Sequence, residues 1–427
     1  MSGQPVAGST VLLLAGRSAR EFEAIRALGF RIAYLDTYVP MRCIPWADVP
    51  VDVDLDDFGA VGTAVRRLFA TELPAAVLTH VEPRLPLMAY LTESLGLPVR
   101  GLSAEAAASC RDKWRTRLLL EEAGVPSPSS FLATSAKEAL AATDRLGLPV
   151  IVKPRGGTGG SGVRLCRTDC DVADAVAVGL LEPSHGGHSA GVLVEQYIAG
   201  PEFAVQALTR HGRTEIVSVF RQAVTPPPVF VETGYVYPAG LSDGEQAELA
   251  GLVTRALAAV GLDNWVSHTQ LRKDDSGFHV IEINARRPGG RLVEMTTAVS
   301  GTDLVVAATE IVLGREVTRG EPICAAAAYR SIVFDSAGTV SYRPDGVTAR
   351  SDGGPQPVVE VDVPPGAPVL PASHPDGGVY GRVVTFADSL AEAEAAGDRI
   401  LGELALELHA EELSPGAEDS REFKSCC

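Results

Sequence analysis

The chain has 427 residues, 46% hydrophobic and 21% charged, the balance of a globular protein with sizeable cores. Its 54 acidic against 37 basic side chains leave a net charge of −17, which argues against nucleic acid or an anionic membrane as the main partner. An anionic small ligand therefore needs a local basic pocket. No apolar run reaches the ~18 residues of a membrane helix. The apolar stretch Val11–Ala15 is too short for a signal peptide and has no basic segment before it, so a cytoplasmic protein is expected. Cys43, Cys110, Cys166, Cys170 and Cys324 are scattered without metal-ligand spacing, and Cys426 and Cys427 end a polar tail.

In chain order, residues 1–105 alternate apolar runs ("TVLLLAG", "FRIAYLD", "AAVLTH") with amphipathic ones ("AREFEAIRALG", "AVGTAVRRLFATE"). This β-α rhythm predicts a parallel sheet with helices on its faces. The first strand-helix turn, "AGRSAREF", lacks G-x-G-x-x-G, so no dinucleotide is expected there. A bridging helix then stops at Gly124, just before Pro126, and opens a unit over 106–200 that reads β-α-β-β-α-β. Residues 201–330 form a second mixed unit, 331–412 a strand-rich C-terminal unit ending in the helix "SLAEAEAAGDRILGELALEL", and 413–427 a disordered tail.

The stretch "VIVKPRGGTGGSGVRL" carries the chemistry. Gly157, Gly159 and Gly162 satisfy G-x-G-x-x-G, but "GVRLCRT" alternates like a strand where a dinucleotide site requires a helix. Nor does Gly-Lys-Ser/Thr follow, which a Walker A loop needs. The loop therefore joins two antiparallel strands, and its glycines let backbone N–H groups approach phosphates, with Lys153 supplied by the strand before it. Further on, Glu282 and Asn284 stand two apart in "IEIN" on a strand, hence on one face, where hard oxygen ligands in a phosphate site suit Mg²⁺.

In this order the pieces resemble the ATP-grasp superfamily over about 105–410. Within it, "VFVETGYVYPAGLS" and "SHTQLR…IEINARRPGG" are similar to bacilysin-type L-amino-acid ligases, carboxylate–amine ligases that make dipeptides. The resemblance implies an ATP-grasp fold of α/β and α+β type, with an N-terminal parallel-sheet domain and a C-terminal closing subdomain. It implies that Lys113 and Lys153 contact ATP phosphates under a lid loop at 156–162, including Gly157, Gly159, Gly160, Ser161 and Gly162. Glu195, with the backbone around Tyr197 and Ile198, would hold the adenine, and Glu202 the ribose hydroxyls. Glu282 and Asn284 would bind Mg²⁺ (or Mn²⁺), Arg286 would stabilise the transferred phosphoryl or the carboxylate, and Glu232 would meet the first substrate's amino group. Two positions depart from the pattern: Gln270 stands for an acidic metal ligand, and Tyr235 for a histidine in the acyl-transfer site, where Gly234 is expected to permit a turn aiming the tyrosine inward.

The implied reaction transfers the γ-phosphoryl of ATP to a carboxylate, and an amine then attacks the acyl phosphate. The partners would be small acids and amines, amino acids first, acting on a homodimer. Two other readings share the nucleotide residues: a carboxyphosphate-forming enzyme of the carboxylase or purine-pathway type, and a non-catalytic nucleotide-binding module, which Gln270 favours. Replacing Lys113 or Lys153 is expected to remove ligation without loss of stability, as at surface-like positions.

Overall fold

The computed structural model describes residues 6–98, 101–157, 159–181, 191–343, 355–374 and 377–409; the expected tail and Thr158 of the glycine loop lie outside them. Strands β1 (Thr10–Leu14), β2 (Arg31–Asp36), β3 (Val49–Asp52) and β4 (Ala76–Leu78) form a parallel sheet in the order β3-β2-β1-β4. Helices α1 (Ala19–Ala27), α2 (Phe58–Leu68) and α3 (Leu85–Ser94) accompany them. Val11, Leu12, Leu13 and Leu14 are all fully buried, because a strand covered on both faces reads as a continuous apolar run.

The bridge differs from its sequence reading. It is two helices, α4 (Ala104–Arg111) and α5 (Lys113–Glu122), broken at Asp112. The Asp112 carboxylate accepts the backbone N–H groups of Trp114 (3.1 Å) and Arg115 (3.3 Å), capping α5, and also receives Arg155 Nε at 2.8 Å. A cap in mid-pattern leaves the helical periodicity legible on both sides, so the break is invisible to periodicity; its effect is to set Lys113 at the first turn of α5.

Next come β5 (Ser130–Ala133), α6 (Ala136–Leu146), β6 (Val150–Pro154), β7 (Arg164–Cys166), α7 (Asp169–Gly179) and β8 (Val192–Gln196). Their antiparallel sheet runs β5-β8-β6-β7. Val150, Val152, Val192 and Val194 pack on Ala139 and Ala142 of α6 and Val172 and Ala175 of α7. The glycine loop is the turn between β6 and β7, as expected from the alternation after it.

The largest sheet starts with β9 (Glu202–Arg210), β10 (Arg213–Val224) and β11 (Glu232–Tyr237). After α8 (Asp243–Ala259) come β12 (Trp265–Asp274) and β13 (Gly277–Asn284), then α9 (Leu292–Ser300), α10 (Leu304–Val312) and β14 (Ala326–Ser331). The C-terminal part adds β15 (Gly338–Ser341), β16 (Val358–Val361), β17 (Pro368–Val369), β18 (Gly381–Ala387), α11 (Leu390–Leu404) and β19 (Glu407–His409). The sheet order is β13-β12-β9-β10-β11-β14-β18-β16, so the segment after 331 extends the same sheet, and β17-β15-β19 form a small separate one. Phe203, Val205, Leu271 and Val280 bury one face of the sheet against Leu249, Val253 and Ala256 of α8. The other face mixes polar side chains with an apolar cluster, including Ala204 and Phe220, that packs on Leu292 and Met295 of α9. Register sets Arg272, Glu202, Gln222, Tyr235 and Tyr329 in one row across five strands, and Glu282 beside Gln270 and Asn284 beside His268 in neighbouring rows.

Candidate nucleotide and substrate site

Lys153 lies near the end of β6 with its ammonium 2.7 Å from Glu195 Oε2. Glu195 Oε1 accepts Arg117 Nε at 2.8 Å and the Ser130 hydroxyl at 3.1 Å. Arg117 also donates to the carbonyls of Val280 (3.3 Å) and Ile281 (2.6 Å), tying this cluster to β13. All three charged residues are buried. Burial lowers the Lys153 ammonium to about 8 despite Glu195 beside it. Burial opposes ionisation of Glu195, yet Arg117 and Lys153 outweigh it and hold the carboxyl at about 2. Two expectations change. Lys153, 5% exposed, is no surface-like lysine, so its removal strips a partner from a buried charge. Glu195, read from the sequence as an adenine contact, has its carboxylate engaged by Arg117, Lys153 and Ser130 and serves here to fix the two cations.

Lys113 joins the glycine loop to the large sheet. Its ammonium donates to the Gly157 carbonyl (2.6 Å) and pairs with Glu282 (2.8 Å). Burial opposes ionisation of Glu282, but Lys113, then Lys153 and Arg286, bring it to about 2. Gly159, Gly160 and Gly162 take φ of +64°, +77° and +69°, a run of left-handed backbone that side chains resist. Beyond the turn, Leu165 N–H donates to the Pro228 carbonyl (3.1 Å), resting the hairpin on the segment before β11.

Gln270 is paired in register with Glu282, and its amide donates to Gln222 Oε1 at 3.3 Å. Asn284 Oδ1 accepts Arg286 Nη2 at 3.4 Å. Arg286 Nε is 2.9 Å from Glu82 Oε2, and Arg111 Nη1 lies 3.0 Å from Glu82 Oε1, so one carboxylate of the N-terminal domain holds two arginines. His268, opposite Asn284, is hydrogen-bonded through Nδ1 to the Gln206 amide and is lowered to about 3 by burial and by Arg286, hence neutral at pH 7. Among the described residues no group of three His, Cys, Asp or Glu side chains is placed to hold a metal. Glu282, Asn284 and Gln270 present oxygens on neighbouring positions of one face, a donor set that fits a hard cation completed by water and phosphate oxygens.

At the other end of the face, Tyr235 is buried against Tyr329 with ring centroids 5.6 Å apart and nearly perpendicular. Its hydroxyl lies close enough to the Glu232 carboxylate for each group to shift the other's pKa. Residues three apart on a regular strand face opposite ways; opposite Ala223 and Val224 of β10 the register shifts and leaves Thr233 of β11 as the extra residue, which breaks that alternation between Glu232 and Tyr235. Gly234 does not form the expected turn. It sits within β11, paired with Ala223 and Arg330, and a Cβ there would stand 2.7 Å from the Tyr329 carbonyl oxygen. The inward aim of Tyr235 comes from strand alternation. The Glu232 carboxylate keeps access to solvent, yet the protein around it raises its pKa, with the Tyr235 hydroxyl opposing and Glu202 and Glu282 adding to the rise.

The fold thus gathers Lys113, Lys153, Gly157, Glu282, Asn284 and Arg286 at one end of the face, with Glu232 and Tyr235 at the other. Glu202, Tyr197 and Ile198 meet at Arg272 of β12. Sequence reasoning missed Arg117, Glu82, Arg111 and Arg272. Arginines that end as buried ligands of distant carboxylates carry no local signature, although "SCRDKWRTR" on a bridge helix does concentrate cations beside a glycine loop.

A glycine hairpin over a cation-lined sheet face, with oxygen donors on paired strands, defines a nucleotide-binding protein of the grasp type. A family profile described as ATP-grasp domain matches residues 146–295. The chain is 30% identical over 245 residues to the D-alanine--D-alanine ligase of Pseudomonas entomophila (strain L48), covering 55% of this chain and 73% of that one. It is 28% identical over 328 residues to the uncharacterized protein y4rH of Sinorhizobium fredii (strain NBRC 101917 / NGR234), covering 77% of this chain and 66% of that relative's length. The crystal structure of an L-amino acid ligase from Bacillus licheniformis superposes with a TM-score of 0.80 at 25% identity, over 95% of this chain and 100% of that one. The chain belongs to the ATP-grasp family.

Proposed function

We propose that the protein is an ATP-dependent carboxylate–amine ligase joining amino acids or closely related small molecules, with release of ADP and phosphate. The observation that carries this reading is the division of one sheet face into a cation-rich end under the glycine hairpin and a Glu232–Tyr235 pair at the other end. The first suits a triphosphate, the second an ammonium group beside a reacting carboxylate. The kinship with L-amino acid and D-alanine--D-alanine ligases supports the same class.

In this reading Lys113, Lys153 and Arg286 bind and orient the phosphates, and backbone N–H groups of the glycine hairpin close over them. Mg²⁺ held by Glu282 and Asn284, with Gln270 beside them, would neutralise charge developing on the transferred phosphoryl. The γ-phosphoryl passes to the substrate carboxylate, forming an acyl phosphate, and the amine displaces phosphate to form the amide. Hairpin closure excludes water that would otherwise hydrolyse the acyl phosphate. Glu232 receives the first substrate's ammonium, and the Tyr235 hydroxyl, which has a single proton to donate, is freed by that pairing to donate it to the developing oxyanion.

The test is pairwise incubation of amino acids with ATP and Mg²⁺, following ADP release and the amide by mass spectrometry. ADP release that requires bicarbonate and no amine would overturn the ligase reading in favour of carboxyphosphate chemistry. Nucleotide binding without turnover of any acid–amine pair would leave a binding module.

A further inference from the structure

We propose that the oxygen face shared by β12 and β13 takes one divalent cation with the nucleotide and not two, and that Gln270 sets this number. This rests on the nucleotide reading above. Three side chains offer oxygen there: Glu282 and Asn284 of β13, and Gln270 of β12, which is paired with Glu282 in register. Only Glu282 is a carboxylate. Its Oε1 lies 2.8 Å from the Lys113 ammonium, and among the described residues Oε2 has no hydrogen-bond partner. A carboxylate that bridges two cations lends an oxygen to each. Here an ammonium already holds one of them, and a single oxygen is left for a metal. Gln270 turns its amide nitrogen to Gln222 Oε1 at 3.3 Å, so its carbonyl oxygen can ligate a cation but brings no charge to hold a second one.

The charge around this face gives the same number independently. Arg111, Lys113, Arg117, Lys153 and Arg286 stand in ion pairs with only Glu82, Glu195 and Glu282, an excess of two cations over carboxylates. Arg155 is cancelled by Asp112, and Arg272 by Glu202. A triphosphate with one divalent cation carries about two negative charges, so it brings this end of the sheet to neutrality. A second divalent cation would leave about two positive charges uncompensated in a partly desolvated site, with no further carboxylate free to meet them. Glutamate at position 270 would change both conditions. It has the shape of glutamine, it adds an anionic oxygen beside Glu282, and the Gln222 amide can turn to donate to it.

The experiment counts Mn²⁺ in place of Mg²⁺, by the paramagnetic resonance of the free ion. The full chain is held equimolar with the non-hydrolysable ATP analogue adenylyl imidodiphosphate, well above its dissociation constant. Calorimetry confirms that the analogue binds, and thermal melts confirm the fold. The wild type is expected to hold one Mn²⁺ per bound analogue, with any second ion roughly 30-fold weaker or more. Gln270→Glu should tighten that second ion by roughly tenfold or more through the added charge. Gln270→Ala, which removes an oxygen and adds no charge, should stay at one ion and keeps the test open if the glutamate variant does not fold. Two ions of comparable affinity in the wild type, or none, overturn the single-cation site. A folded glutamate variant that stays at one ion, or an alanine variant that takes two, overturns Gln270 as the residue that sets the number. A wild type that binds no analogue overturns the nucleotide reading itself, and the proposal with it.

Discussion

The two ends of the polar sheet face handle charge in opposite ways. At the hairpin end each carboxylate has a cation against it: Glu195 lies between Arg117 and Lys153, Glu282 against Lys113, and Glu82 between Arg111 and Arg286. Glu195 and Glu282 are consequently held at about 2, ionised at any working pH. At the other end Glu232 pairs with no cation among the described residues, lies beside a tyrosine hydroxyl, and has its pKa raised. A network whose charges are already mutually fixed costs little reorganisation when phosphates arrive. A carboxylate without a cation of its own is the one that the proposed ligase reading assigns to a substrate ammonium group.

The sharpest way to break this contrast is at its charged end. Glu282→Ala is expected to lower kcat by roughly 100- to 1000-fold, the scale for losing a pre-organised electrostatic group. ADP release at saturating ATP measures it, and near-normal turnover would remove Glu282 from the metal site. Lys153→Met should also abolish most ligation and, unlike a surface change, lower stability by about 3 kcal/mol, because Glu195 is left buried with one cation fewer. Urea unfolding of Lys153→Met beside Lys113→Met separates the two lysines, since Lys113 and Glu282 retain more solvent contact and should cost less.

At the other end, Tyr235→Phe removes the hydroxyl while keeping the ring stack on Tyr329. We expect kcat to fall roughly 10- to 100-fold with the KM for ATP little changed, as for loss of an oxyanion donor. The sign of its pH effect is set by the hydrogen bond. The Tyr235 hydroxyl favours ionised Glu232, so the phenylalanine variant should raise the Glu232 pKa further and move the acid limb of kcat/KM to higher pH. An unmoved limb would detach Tyr235 from Glu232. The smallest effect is expected at Gln270. Gln270→Glu adds a carboxylate beside Glu282 and should lower the Mg²⁺ concentration for half-maximal rate a few-fold, roughly 2- to 5-fold, by added attraction for the cation. An unchanged requirement would assign Gln270 to its hydrogen bond with Gln222.

The sequence by itself determined the features whose signal is local. The alternation after Gly162 made the glycine loop a hairpin between antiparallel strands, and the two-residue spacing in "IEIN" set Glu282 and Asn284 on one face. The β-α rhythm before residue 100 specified the parallel sheet, since apolar period and chain punctuation are properties of neighbouring residues. Only the tertiary structure decided which charges meet. Arg286 reaches Glu82 across 204 positions and Arg117 reaches Glu195 across 78, and neither arginine differs in local pattern from a solvated one. The bulge that turns Glu232 toward Tyr235 and the cap at Asp112 that splits the bridge helix escaped for a related reason. Each shifts a side chain's direction by a single step of backbone geometry, and that step is settled by the register of the partner strand or by the hydrogen bonds of the cap.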